Sequence, residues 1–164
     1  MSATSNHATS EEQLIRMLLS RNVRAVELLY DKYSCMLYGM IHRIVNDAKR
    51  AEEVLFKTFT YAWNHCNHFD SSSQSINIWM MTIARQLALD SLSQQERMNI
   101  ESRLINSLKV SKVKEKMIVL ELVFFHGLSV IKIAEKLGCS TSDVRTLLHH
   151  ATAGLKNEFQ QNER

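Results

Sequence analysis

LSVIKIAEKLGCSTSDVRTLLHHA, Leu128 to Ala151, carries the punctuation of two helices meeting at a tight turn. Ser129 is placed to cap the first helix through its hydroxyl. Ile131, Ile133, Ala134 and Leu137 give that helix an apolar side. Gly138 follows at the C-terminal cap, where a positive φ is needed and only glycine adopts it without steric cost. Ser140 caps a second helix, with Asp143 at the position where a carboxylate meets free N–H groups and the positive end of the dipole. Val144, Leu147, Leu148, Ala151 and Leu155 recur along it at helical spacing. Ala134 is small where two helices must cross closely. The pattern is a helix-turn-helix, a device that reads the DNA major groove.

Working outward, the chain has 164 residues, enough for one ordinary domain or two small ones. Hydrophobic residues make up 45%, which supports a core and excludes a disordered chain. There is no proline and there are only four glycines, so an all-α fold is expected. The start, MSATSNHATSEEQ, holds no apolar signal core, and no apolar run is long enough to span a bilayer. Cys35, Cys66 and Cys139 lie far apart, which fits a reduced, cytoplasmic protein that does not insert in a membrane. The net charge of +3 is low for a protein that must hold duplex DNA unaided.

Residues 1–9 read as a flexible tail. Ser10 and the residues after it resemble a capping box for a short helix, Glu11 to Ser20. Asn22 is placed to cap a long helix with Val26, Leu29, Tyr33, Leu37, Ile41 and Ile44 on one side. Asn46 and Asp47 break it and open a third helix, Ala48 to Asn67. A serine-rich loop, Asp70 to Ser75, precedes a fourth helix whose stripe runs through Ile76, Trp79, Met80, Ile83, Ala84, Leu87 and Ala88. Residues 93–112 are mainly polar, with a weak pattern in Ile100, Leu104, Ile105 and Leu108, and read as a partly helical linker. A further helix, Val113 to Phe125, leads into the helix-turn-helix. The expected organisation is two small helical modules, 10–92 and 113–164, joined by 93–112.

The first module narrows the function. AEEVLFKTFTYAW, Ala51 to Trp63, resembles the polymerase-binding helix of bacterial sigma factors. FDSSSQSINIWMMTIARQLALD, Phe69 to Asp90, resembles their promoter-melting loop and helix, and AVELLYDKYSCMLYGMIHRIVND, Ala25 to Asp47, the helix before them. VLELVFFHGLSVIKIAEKLGCSTSDV, Val119 to Val144, is similar to their C-terminal DNA-reading module. Two such modules and a short linker are the architecture of the extracytoplasmic-function group. The resemblance implies a non-enzymatic initiation factor that needs no cofactor. Glu52, Glu53, Phe56 and Lys57 would meet core RNA polymerase. Ser72, Ser73, Gln74, Ser75, Asn77, Arg85 and Gln86 would read the melted minus-ten element of promoter DNA, where a base is extruded into a polar pocket. Thr141, Ser142, Arg145, Thr146 and His149 would read the duplex minus-thirty-five element. An anti-sigma factor is a further partner that the resemblance implies.

Some positions depart from the family pattern. Phe56 and Lys57 stand where Gln and Glu are usual. Basic residues that normally follow the melting helix are missing until Arg97. Leu147 and His150 replace arginines of the reading helix, and Val113 replaces a proline. From Val113 to Arg164 there are seven Lys plus Arg and six Asp plus Glu, a net of +1. Such a module cannot hold DNA tightly by counterion release. Two other readings therefore stay open: a stand-alone helix-turn-helix regulator, and a degenerate sigma-like protein that binds polymerase without initiating. Trp63 and Trp79 are expected in the core, Cys139 as a small buried residue. The His65-Cys66-Asn67-His68 cluster lacks the second ligand pair that a zinc site needs.

Overall fold

The computed structural model describes residues 10–110 and 115–162, with the side chains of 110, 115 and 154–162 left aside. The expected tail, Val113 and the side chain of Leu155 lie outside the described residues. All described regular structure is helical. It divides between Ser91 and Leu92 into two compact units.

The first unit holds α1 (Glu11–Leu19), α2 (Arg24–Val45), α3 (Ala48–Asn64) and α4 (Ile76–Asp90), with a short 3-10 turn at Cys66–His68. Its core is built where apolar residues recur every three or four positions: Leu14 and Leu18 of α1, Leu29, Leu37, Ile41 and Ile44 of α2, Val54 of α3, and Ile76 and Met80 of α4 are all but fully buried. Caps set the boundaries. Ser10 Oγ accepts from the Gln13 amide at 3.2 Å. Asn46 adopts φ +51° and ends α2, its N–H donating to His42 O at 2.8 Å. Asp47 Oδ1 then accepts from the Arg50 amide at 2.7 Å and starts α3. Thr58 is a buried polar residue in α3, and its hydroxyl donates to Val54 O at 2.8 Å. Trp79 is buried as expected; Trp63 is only half-buried and borders a surface groove instead.

The second unit holds α5 (Gln94–Val110), α6 (Glu115–Leu120), α7 (Val130–Leu137) and α8 (Thr141–Asn162), with a π-helical stretch at Glu121–Phe125. Most of the segment read as a partly helical linker is thus one helix, α5. Leu104, Ile105 and Leu108 are buried in one cluster with Leu122, Ile133, Val144 and Ala151. Glu101 of α5 reaches Lys136 Nζ at 3.5 Å and Lys132 Nζ at 3.9 Å on α7. A capping box opens α5: Ser93 Oγ accepts from the Glu96 amide at 3.2 Å, and Glu96 Oε2 from the Ser93 amide at 2.8 Å. That Ser93-to-Glu96 signature is present in the sequence and outweighs the polar composition around it.

The turn between α7 and α8 takes the expected form. Ser129 Oγ accepts from the Lys132 amide at 3.2 Å, and Gly138 adopts φ +70°. Ser140 and Asp143 cap each other: Ser140 Oγ accepts from the Asp143 amide at 3.1 Å, while Asp143 Oδ2 accepts from the Ser140 amide at 3.0 Å. The hydroxyl of Ser140 donates to the same carboxylate, and these bonds hold the Asp143 carboxyl below its ordinary range. Cys139, expected to be buried, is exposed, because it sits between the left-handed Gly138 and the reciprocal cap, at the tip of the turn and off the packed face. The Ile133–Ala134 step of α7 and Val144 and Ala151 of α8 carry the crossing.

Candidate functional site

The outer side of α3 is exposed at Glu52, Glu53, Phe56 and Lys57, while Ala51, Val54, Leu55, Thr58, Phe59 and Ala62 face inward. The four predicted residues therefore share the exposed side of one helix. Phe56 is 74% exposed, a costly position for an aromatic ring unless something covers it. It borders an open groove of 710 Å³ between α2 and α3. Tyr30, Phe59 and Trp63 form much of its apolar wall, with Tyr30 and Phe59 ring centroids 5.3 Å apart. Glu27, Asp31 and Glu52 put carboxylates on it. The groove takes in Glu52 and Phe56 but not Glu53 or Lys57. Its α2 side, from Val23 to Asp31, escaped the sequence reading; two exposed apolar residues at the start of α2, Val23 and Tyr30, were the signal.

Arg21 secures one end of this face. It adopts φ +58° after α1, and its guanidinium donates to the carbonyls of Trp63 and Asn64, free C-terminal acceptors of α3. The same group lies 5.5 Å from the centre of the Trp63 ring.

The serine-rich loop is organised by Asp70. Its Oδ1 accepts from the Ser72 amide at 2.9 Å and the Ser72 hydroxyl at 2.7 Å, and its Oδ2 accepts from the Ser73 hydroxyl. Those hydrogen bonds, the Ser73 hydroxyl first, lower the Asp70 pKa to about 2. Ser72 and Ser73 are exposed and Gln74 is half-buried. Ser75 is committed to capping α4, accepting from the Ile78 amide at 3.4 Å. Asn77 is half-buried, and its Oδ1 is enclosed without a hydrogen-bond partner. Arg85 is half-buried two turns further along α4. Gln86 is exposed, and its amide donates to both carboxylate oxygens of Asp90 at 3.0 Å. Ser72, Ser73, Gln74 and Ser75 thus form one cluster, whereas Arg85 and Gln86 sit further along the helix. Sequence reasoning missed Glu11, whose Oε1 accepts from the Ile76 amide at 3.0 Å and so ties α1 to the first turn of α4.

In the second unit Ser142, Arg145, Thr146 and His149 are exposed on α8, and Thr141 is half-buried at its start. Ser142, Arg145, Thr146 and His149 are spaced three or four apart and share one side of the helix. The hydroxyl of Thr146 donates to Ser142 O at 3.0 Å. Leu147 is half-buried and packs against the unit's core, while His150 is exposed. Among the described residues, no three His, Cys, Asp or Glu side chains stand together as metal ligands would. No described helix is long and apolar enough to cross a membrane.

Residues 29–98, from α2 into α5, match the family described as Sigma-70 region 2. Over that stretch the chain resembles the RNA polymerase sigma factors. The curated relatives it resembles include proteins named as extracytoplasmic-function sigma factors. The sigma factor SigK of Mycobacterium sp. (strain JLS) is 22% identical over 174 residues, covering 91% of this chain and 90% of that one. SigL of Mycobacterium tuberculosis (strain ATCC 25618 / H37Rv) is 23% identical over 183 residues, covering 98% and 97%. Among solved structures, CnrH in complex with the cytosolic domain of CnrY shares the fold, with a TM-score of 0.51, 20% identity, and coverage of 92% of this chain and 97% of that one.

Proposed function

We propose that this chain is a sigma factor that docks on core polymerase through the exposed side of α3 and the adjoining α2 groove, and selects promoters through two separate readers. The observation that carries the reading is the groove itself. An apolar surface that includes a largely exposed phenylalanine and is edged by Glu27, Asp31 and Glu52 suits a basic, amphipathic helical partner. Glu52 and Phe56 meet that partner directly; Glu53 and Lys57 stand at its margin. Phe56 then has a use in place of the usual glutamine: it widens the apolar contact.

The loop from Asp70 to Ser75 and the start of α4 take the melted minus-ten strand, through Ser72, Ser73, Gln74, Ser75 and Asn77, with Arg85 and Gln86 further along. In the second unit Thr141, Ser142, Arg145, Thr146 and His149 take the duplex minus-thirty-five element. The module's +1 charge and the packing of Leu147 argue against a stand-alone duplex binder. The same groove offers an anti-sigma factor a place to compete with polymerase; CnrH bound to the cytosolic domain of CnrY is a precedent among proteins of this fold.

The test adds the purified chain to core bacterial polymerase with a promoter library and sequences the transcripts. New, discrete starts sharing a pair of upstream motifs are expected. Core binding without transcripts would indicate the degenerate form, and duplex binding without core affinity would exclude both sigma readings.

A further inference from the structure

We propose that Asp70 fixes the hydrogen-bonding sense of Ser72 and Ser73, so that these two hydroxyls can only accept from an extruded base and favour one with an exocyclic amine. The inference rests on the minus-ten reading above and concerns its specificity. A serine hydroxyl has one proton and two lone pairs, and in a free loop it turns to give or take as the ligand requires. Here that freedom is removed. An ionised carboxylate has no proton to offer, so each contact from Asp70 to a serine oxygen must be a bond in which the hydroxyl donates. Asp70 Oδ1 takes the Ser72 proton at 2.7 Å, and Oδ2 takes that of Ser73. The Ser72 amide, 2.9 Å from Oδ1, is spent on the same carboxylate. What remains on both serines is oxygen lone pairs on an exposed loop.

Two neighbouring acceptors discriminate among bases. Cytosine, adenine and guanine each carry an amine on the edge that unpairing exposes. Thymine carries a single ring N–H between two carbonyls, whose lone pairs would oppose those of the serines. Asp70 stays ionised throughout the neutral range, so the sense does not change with physiological pH. Replacing the carboxylate by an amide, as in Asp70→Asn, reverses the logic. The new side-chain amide would keep its oxygen for the Ser72 amide and hydroxyl and offer an N–H to the Ser73 oxygen, freeing the Ser73 proton to donate to a carbonyl.

The experiment compares the wild-type chain, Asp70→Asn and the double variant Ser72→Ala with Ser73→Ala, each with core polymerase on a library randomised through the melted element. Wild type should deplete thymine at one position by about fivefold, the worth of one hydrogen bond. Asp70→Asn should erase or invert that bias, and the double variant should erase it, both with core affinity unchanged. Should Asp70→Asn yield no starts, the double variant, which leaves Asp70 itself in place, decides. An unaltered base preference in either variant, or a wild-type preference for thymine, overturns the inference alone. Absence of any discrete start from wild type overturns the minus-ten reading with it.

Discussion

The Asp70 carboxylate shows how a single residue orders a loop that composition alone marks as solvated. Three hydrogen bonds from Ser72 and Ser73 favour its ionised form, and its pKa falls from 3.8 to about 2. The folded value lies below the unfolded one, so the contribution to loop order is present above about pH 4 and is lost as pH falls toward 2. Protection of the Ser72 amide, taken against its intrinsic exchange rate, should therefore fall across that window, and a carboxyl titration by NMR should give a midpoint near 2; a midpoint at 3.8 would mean the bonds do not form in solution. Phe56 offers the contrasting case, a large side chain that packs on little of its own protein. Phe56→Ala should leave the unfolding free energy within about 0.5 kcal/mol of wild type, as for other surface changes. It should weaken core polymerase binding by about fivefold or more, if the ring anchors the partner. Lys57→Glu should also alter core affinity, read by the same titration, and no change would place Lys57 outside the contact.

At the scale of elements, the caps were the most legible feature. Ser129, Gly138, Ser140 and Asp143 do what their chemistry requires, because a cap depends on residues within one turn of each other. Helix α5 was less legible. Its exposed positions are polar enough to hide a short stripe, and Ile100, Leu104, Ile105 and Leu108 acquire meaning only against α6 and α7. Leu104→Ala should destabilise the second unit by about 2–4 kcal/mol, the cost of a cavity at a buried leucine, where a true linker would lose almost nothing. Thermal unfolding followed by far-ultraviolet circular dichroism would show it; tryptophan fluorescence would not, since Trp63 and Trp79 are both in the first unit. The candidate polymerase face was half legible for the same reason: α3 could be read from its own periodicity, but the α2 wall of the groove comes from a different helix, distant along the chain.

For the molecule as a whole, charge sets the expectation. The region from Val113 to Arg164 is nearly neutral, and Lys132 and Lys136 are engaged with Glu101. Few phosphates can be neutralised, so the free chain should bind a minus-thirty-five duplex weakly and with a shallow salt slope. The same duplex should be bound far more tightly once core polymerase is present, in an anisotropy titration with and without core; tight binding by the free chain would restore the stand-alone regulator. The sequence by itself determined the helices other than α5, most of their caps, the turn at Gly138 and the order of sigma-like segments, because each depends on neighbours a few residues apart. Only the tertiary structure decided that α5 belongs to the second unit's core, that Trp63 and Phe56 border a groove, that Leu147 packs inward, and that Glu11 holds the start of α4. Those outcomes rest on side chains brought together from distant positions, and a one-dimensional pattern carries a helix's apolar side without naming what will cover it.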